Sequence, residues 1–275
     1  MLRSIDSTKN GINTIVDLND ALAHNMANVN TTGYKQVKLV FKDIQQTAVS
    51  NIKSDKEYFI NEGTGTDSIG SLSVGPLTQR SVIDFRQGSI IETGNTFDLA
   101  LNGNGFFKVR TPEGEEKYTR NGAFTFHTNG TVTDLEGNYL LNQQNMPVVI
   151  DLQESRTKDI IIDKQGNINV KRGEPGAESF ETLDTINIVD FANREDMESL
   201  GGVYFKPRNE SLNPQIATTC EIVQGSLESS NADAVKTMIK SIDAMRSYES
   251  MVNTIRTASD TLEKAVTQTG RPISS

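Results

Sequence analysis

The chain has 275 residues, a single cysteine, no tryptophan, 35% hydrophobic and 6% aromatic residues, and a formal net charge of −9. That acidic balance opposes a phosphate-backbone partner, which wants clustered Lys and Arg, and so few aromatics suit several small or elongated modules better than one large enzyme core. Cys220 stands alone, which excludes an internal disulfide and a cysteine-based metal site; no run reaches the ~18 apolar residues of a membrane span, and the first twenty residues lack the apolar stretch and cleavage site of a secretory signal.

The first element reads Leu2, Ile5, Ile12, Ile15, Val16, Leu22, Met26 and Val29, in steps of three, four or seven. This spacing predicts an amphipathic helix from Leu2 to about Val29, in which Gly11 and Asn19 are weak points costing about 0.5–1 kcal/mol each against Ala. Asn25, Asn28 and Thr31 compete for backbone hydrogen bonds and Gly33 permits a left-handed conformation, so the helix ends here in a cap and an extended exit. The following stretch, Gln45–Gly70, is polar and reads as a long connection.

From Phe97 onward the period changes to two: Phe97, Leu99 and Leu101 alternate, as do Phe124 with Phe126 and Ile168 with Val170. Turn signals at Asn102-Gly103, Asn121-Gly122, Asn129-Gly130, Gly137-Asn138 and Gly166-Asn167 punctuate short strands. The expected strands are Phe97–Leu101, Phe106–Val109, Glu116–Arg120, Phe124–His127, Thr131–Asp134, Tyr139–Leu141, Val148–Ile150, Ile160–Asp163, Ile168–Lys171 and Leu183–Val189. Val203–Phe205 and Cys220–Val223 close the module or lead the chain back to a helix.

The last element, Asn231–Thr267, carries Val235, Met238, Ile242, Met245, Tyr248, Val252, Ile255, Leu262 and Val266, and is stopped by Gly270 and Pro272. At about 1.5 Å per residue it is roughly 55 Å long with a narrow apolar seam, so it needs a partner helix from its own chain or from neighbours. The expected fold is α+β, with long N- and C-terminal helices pairing as a coiled coil and a central antiparallel all-β domain. The expected boundaries are 1–34, 35–95, 96–223 and 224–275.

Catalytic, cofactor and metal residues are expected to be none. His24 and His127 have no second His or Cys near them in sequence. Gly103-Asn104-Gly105 lacks the third glycine of a dinucleotide loop and the Gly-Lys-Ser/Thr of a P-loop, and reads as a hairpin turn. Adjacent carboxylates such as Glu115 and Glu116 say nothing about acid–base chemistry without a cleft. Met26, Met238, Met245 and Met251 read as packing residues of a helix bundle.

Asn25-x-Ala27-Asn28-x-x-Thr31-x-Gly33-Tyr34-Lys35 resembles the N-terminal signature of bacterial flagellar rod and hook proteins. Phe85-Arg86-Gln87-Gly88-Ser89, Gly103-Asn104-Gly105-Phe106-Phe107-Lys108-Val109, Tyr118-Thr119-Arg120-Asn121-Gly122-Ala123-Phe124 and Gly225-Ser226-Leu227-Glu228-Ser229-Ser230-Asn231 are similar to its later motifs, in the same order. His24, where many members have Asn, and Leu227, where several have a larger or aromatic residue, depart from the pattern. The resemblance implies a structural subunit of the flagellar basal-body rod, with the distal-rod type favoured over the proximal. It also implies self-association into a helical tube, contacts with other rod and hook proteins and the flagellar type III export apparatus, and export without a cleaved signal peptide. Assembly residues would be the helix seams: Leu2, Ile5, Ile12, Leu22, Met26 and Val29, with Val235, Met238, Ile242, Met245, Val252, Ile255 and Leu262. Gln45–Gly70 would be a packing segment that orders when subunits stack. The layout alone leaves open an oligomeric extracellular β-domain binding module or hydrolase flanked by oligomerisation helices. Neither nucleic-acid binding nor membrane insertion is expected.

Overall fold

The computed structural model describes residues 2–46, 72–150, 160–172, 179–209, 212–217 and 219–269; within these, side-chain positions are described outside 2–6, 42–46, 72–79, 172, 179, 265, 268 and 269. In chain order the elements are α1 (Leu2–Ala27), β1 (Val37–Gln46), β2 (Leu72–Ile83), β3 (Ile90–Glu92), β4 (Leu99–Asn102), β5 (Phe106–Arg110), β6 (Glu116–Thr119), β7 (Thr125–Phe126), β8 (Val132–Thr133) and β9 (Tyr139–Leu140). They continue as β10 (Ile160–Ile162), β11 (Asn167–Arg172), β12 (Ser179–Thr185), β13 (Ile188–Asp190), β14 (Met197–Gly201), β15 (Tyr204–Pro207), β16 (Gln215–Ile216), β17 (Glu221–Gln224), β18 (Ser226–Glu228) and α2 (Ala234–Thr269). The chain divides into two units, one of residues 1–23, 39–81 and 238–275, the other of residues 24–38 and 82–237.

The larger unit is built around β5, buried on both faces through Phe106, Phe107, Lys108 and Val109. Successive strand residues point to opposite sides, so these neighbouring phenylalanines serve separate cores. Phe107 joins Leu99, Leu101, Phe124, Ile168 and Ile222. Phe106 joins Tyr118, Val189, Phe191, Met197 and Phe205, with Phe85 packed against that cluster. Edge-to-face aromatic pairs fix both sides: Phe107 on Phe124 and Phe106 on Phe85, each with centroids 5.2 Å apart. The antiparallel nine-stranded sheet runs β14-β15-β6-β5-β9-β8-β7, with β13 also on β5 and β16 on β13. β10, β11 and β12 form a separate three-stranded sheet, while β17 pairs with β4 and β18 with β3. Most expected strands lie within or beside these elements. Leu183–Val189 is divided between β12 and β13, and Val148–Ile150 contributes only an isolated bridge from Val149 to Thr131.

The smaller unit holds most of α1, most of the paired strands β1 and β2, and α2 from Met238 onward. No helix among the described residues is long and apolar enough to cross a membrane. The expected coiled coil does not form. The protein is mostly antiparallel β-sheet with one helix near each end, and the helices touch through small and polar residues instead of interlocking apolar knobs. Gly11 packs on Met251, and Ser241 Oγ donates to Asn19 Oδ1 at 3.1 Å. From Met238 to Tyr248 the less exposed positions of α2 are Ser241 and Ala244, whereas Met238, Ile242 and Met245 are exposed. Further along α2, Met251, Val252, Ile255 and Leu262 are half-buried, so the expected seam faces inward only in that later part.

Gly122 is where β4 and the segment after β6 approach closely, since a Cβ there would stand 1.7 Å from the Leu99 carbonyl oxygen. Gly122→Ala is expected to destabilise the larger unit by about 1–3 kcal/mol through overpacking. A urea melt read at the β signal tests this, and an unchanged midpoint would contradict the close approach.

Candidate functional site

Three stretches of chain meet in the larger unit: the exit from α1, the turn between β2 and β3, and the segment joining β18 to α2. At the α1 exit, Asn25 is buried. Its Nδ2 donates to Val37 O at 2.8 Å, and its Oδ1 accepts from Val37 N at 2.8 Å and from the Tyr34 hydroxyl at 3.0 Å. Asn28 Nδ2 donates to His24 O and its Oδ1 accepts from Thr31 Oγ1, which closes the helix end. Ala27 is exposed, and Met26 and Val29 are half-buried. Gly33 lies in the left-handed region with φ 70°, and a side chain there would collide with the Asn121 backbone. Its N–H donates to Glu228 O at 2.8 Å.

Lys35 and Glu228 form the centre of this junction. Their side chains have no solvent exposure, and Lys35 Nζ stands 2.6 Å from Glu228 Oε1 while also donating to Arg86 O at 2.9 Å. The same Oε1 accepts from Gly88 N at 2.8 Å, and the other carboxylate oxygen faces Arg120 Nη1 at 3.4 Å. One carboxylate therefore holds two buried cations and a backbone amide. Burial pushes the Lys35 ammonium and the Arg120 guanidinium below their usual ranges, while Glu228 pulls both back up. Arg120 also stacks on the Phe106 ring at 5.4 Å, and its Nε finds no hydrogen-bond partner among the described residues.

Asn231 completes the junction by accepting from Gln36 N at 2.8 Å and donating to Asp84 O and Arg86 O at 2.7 and 2.9 Å. Asp84 faces Lys38 and Arg86, both 2.7 Å away. Burial alone would raise the Asp84 carboxyl, but hydrogen bonds from Arg86 and Lys38 outweigh it and hold the group well below the usual carboxylate range. Beyond Asn231, Asp233 Oδ1 accepts from Lys236 N at 3.1 Å and caps α2.

The structure thus gathers much of the sequence signature. Phe106, Phe107, Tyr118, Thr119 and Arg120 are buried on β5, β6 and the residue after it, and Thr119 Oγ1 donates to Val203 O at 2.9 Å. Gly103 and Gly105 lie between β4 and β5. Glu228, Asp84 and Asn231 were not among the expected site residues. A buried ion pair between residues 193 positions apart leaves no periodicity to read.

The smaller unit presents a different surface. Met238, Ile239, Ile242, Met245 and Tyr248 form an exposed apolar ridge along α2, with Met238 57% and Met245 60% exposed. Beside it a groove of about 230 Å³ is lined by Ile15, Val16, Asn19, Ala244, Met245 and Tyr248. Of the other expected seam residues, Leu22 is buried, Ile12, Val252, Ile255 and Leu262 are half-buried and Val235 is exposed; the side chains of Leu2 and Ile5 lie outside the described residues. Among the described residues no group of three or more His, Cys, Asp or Glu could hold a metal ion. Cys220, the residue before β17, is buried, its thiol pushed up to about 11 by burial.

Two families match. The one described as flagellar hook protein FlgE/F/G D1 domain covers residues 100–170, and the one described as flagellar basal body rod FlgEFG protein C-terminal covers residues 223–268. The chain is 30% identical over 249 residues to the flagellar basal-body rod protein FlgG of Agrobacterium fabrum, covering 88% of this chain and 89% of the relative. It is 28% identical over 284 residues to FlgG of Bacillus subtilis, covering 97% and 98%. With the flagellar basal-body rod protein FlgF of Caulobacter vibrioides it shares 29% over 255 residues, covering 92% and 91%.

Glu228→Gln leaves two buried cations without their anion and is expected to cost about 3–5 kcal/mol, whereas Lys35→Met leaves Glu228 with Arg120 and costs less. Guanidinium unfolding of the full chain measures both, and equal losses would refute the shared-carboxylate arrangement. The depressed Asp84 contributes stability that is fully present above the unfolded carboxyl value of about 3.9 and is lost as pH falls below it towards the folded value. Asp84→Asn is therefore expected to flatten the acid limb of the pH–stability curve. A limb as steep as that of the unaltered chain would assign the dependence elsewhere.

Proposed function

We propose that this chain, which belongs to the family of flagellar basal-body rod proteins, polymerises through its terminal helices into the tubular drive shaft of the basal body. It is a structural subunit of that rod. The observation that carries the polymerisation reading is the solvent-facing ridge Met238, Ile239, Ile242, Met245 and Tyr248. Such side chains contribute roughly 1.5–3 kcal/mol each when fully removed from water, and a helix presenting five of them to solvent is built to be covered. The partners in this reading are further copies of the chain, other rod and hook proteins, and the flagellar type III export apparatus, which takes up the chain through N-terminal information.

The same proposal assigns residues 1–34 and 224–275 to the axial part, 96–223 to the outer β domain and 35–95 to a connecting and packing segment. Most of Gln45–Gly70, on which the preference for a distal-type subunit rests, lies outside the described residues. The family is a structural one, so the work of the protein is mechanical continuity instead of turnover.

Ile242→Asp places a charge on the exposed ridge without touching either core. The expected outcome is loss of rods in electron micrographs with an unchanged β unfolding transition; rods of normal yield would overturn the reading. Deletion of residues 2–29 is expected to block export as well as assembly, measured as protein recovered outside the cytoplasm.

A further inference from the structure

We infer that Asn104 is a site of self-modification, at which the Gly105 backbone nitrogen closes on the asparagine side chain and expels ammonia. The reaction lies within the larger unit and does not depend on polymerisation. Asparagine is thermally labile, and a following glycine favours this closure because no Cβ hinders the approach. Five Asn-Gly pairs occur in the chain, at Asn10, Asn102, Asn104, Asn121 and Asn129. Closure needs two freedoms together: a carboxamide able to swing towards the backbone, and a glycine N–H that no acceptor holds.

Four of the pairs lack one freedom or the other. Gly11 lies within α1, where its N–H belongs to the helical ladder. Asn102 is held in β4 opposite Glu221, and the Gly103 N–H donates to Gln87 Oε1 at 3.1 Å. Asn121 Oδ1 accepts from Thr32 Oγ1 at 2.9 Å and from Ala123 N at 3.2 Å, which pins the carboxamide. Asn129 Oδ1 accepts from Thr131 Oγ1 at 2.7 Å, while the Gly130 N–H donates to His127 O at 2.9 Å.

Asn104 has both. It is exposed, and among the described residues neither its carboxamide nor the Gly105 N–H has a hydrogen-bond partner. Gly103 before it stands at φ 109°, so the bend carries no Cβ on that side either. Gly105 is walled in, since a Cβ there would stand 2.9 Å from Ile188 Cγ2 and 3.2 Å from Cys220 Sγ. The walls hold the attacking nitrogen still while the outward carboxamide moves to it.

The atoms balance with water alone. The Gly105 nitrogen bonds to Asn104 Cγ, its proton passes to solvent, and the side-chain nitrogen leaves as ammonia. Water then opens the five-membered imide. Opening at one carbonyl gives aspartate; opening at the other routes the peptide link through the side chain and adds a methylene to the backbone. Either product places a new negative charge two residues before Phe106. The lengthened product also disturbs the register of β5, whose Phe106 and Phe107 serve separate cores.

Incubating the folded, full-length chain in warm, mildly alkaline buffer tests this, with each Asn-Gly peptide followed by mass and by isoaspartate methylation. Conversion at Asn104 is expected to run several-fold faster than at any of the other four pairs. In urea the five pairs are expected to react at similar rates, because the fold makes the choice. Asn104→Gln, at an exposed position, replaces the five-membered closure by a slower six-membered one. It is expected to remove most of the ammonia released by the folded chain and to leave the unfolding midpoint unchanged. Equal conversion at all five pairs in the folded chain, an earlier conversion at any other pair, or no conversion would overturn the inference. So would a preference for Asn104 that persists undiminished in urea, since the local sequence would then suffice.

Discussion

A lysine and a glutamate without solvent exposure, 2.6 Å apart, hold together the place where both terminal segments join the β core. Removing two charges from water costs several kcal/mol per ion, and their mutual attraction offsets this only when the remaining polar atoms also find partners. Here they do: Lys35 reaches a backbone carbonyl, and Glu228 takes a backbone amide and a second cation. An apolar cluster of the same volume would hold the segments as firmly but would tolerate a slip of one residue. A charged pair ringed by fixed donors tolerates none, so its specific contribution is register. Gly33 and Gly88 both donate their backbone N–H to Glu228.

The start of α2 has an uneven face. Between Ala234 and Met245 its small residues, Ala234, Thr237, Ser241 and Ala244, are buried or half-buried and its large ones, Met238, Ile239, Ile242 and Met245, are exposed. A monomer selected only for its own stability would do the reverse, because the larger side chains gain more from burial.

The β unit was largely legible because turn glycines and alternating apolar residues are local signals. Phe106 and Phe107 announced a strand and Asn129-Gly130 the turn between β7 and β8, whereas Asn121-Gly122 forms no hairpin turn. The helices were legible in length but not in orientation. Two interleaved three-four series, one starting at Ala234 and one at Val235, fit α2 equally well in spacing; the second is exposed at Met238, Ile242 and Met245 and half-buried at Val252, Ile255 and Leu262. Strands β1 and β2 escaped because Lys38, Lys42 and Asp43 interrupt the first, and Gly75 and Pro76 the second, so neither run stands out from its polar surroundings. The ion pair escaped for a different reason, since burial of Lys35 and Glu228 is a property of the assembled fold and of no segment within it.

The separation of 193 residues between Lys35 and Glu228 has a consequence in time. Closing so long a loop costs conformational entropy before any contact compensates for it, and folds that depend on distant pairs form slowly. A chain that emerges N-terminus first holds Lys35 ready early and then waits for most of its remaining length before the glutamate arrives. Throughout that interval Lys35 lacks its buried partner. The β core can form from residues that precede Glu228, but the junction at the α1 exit closes only when the last fifth of the chain is present.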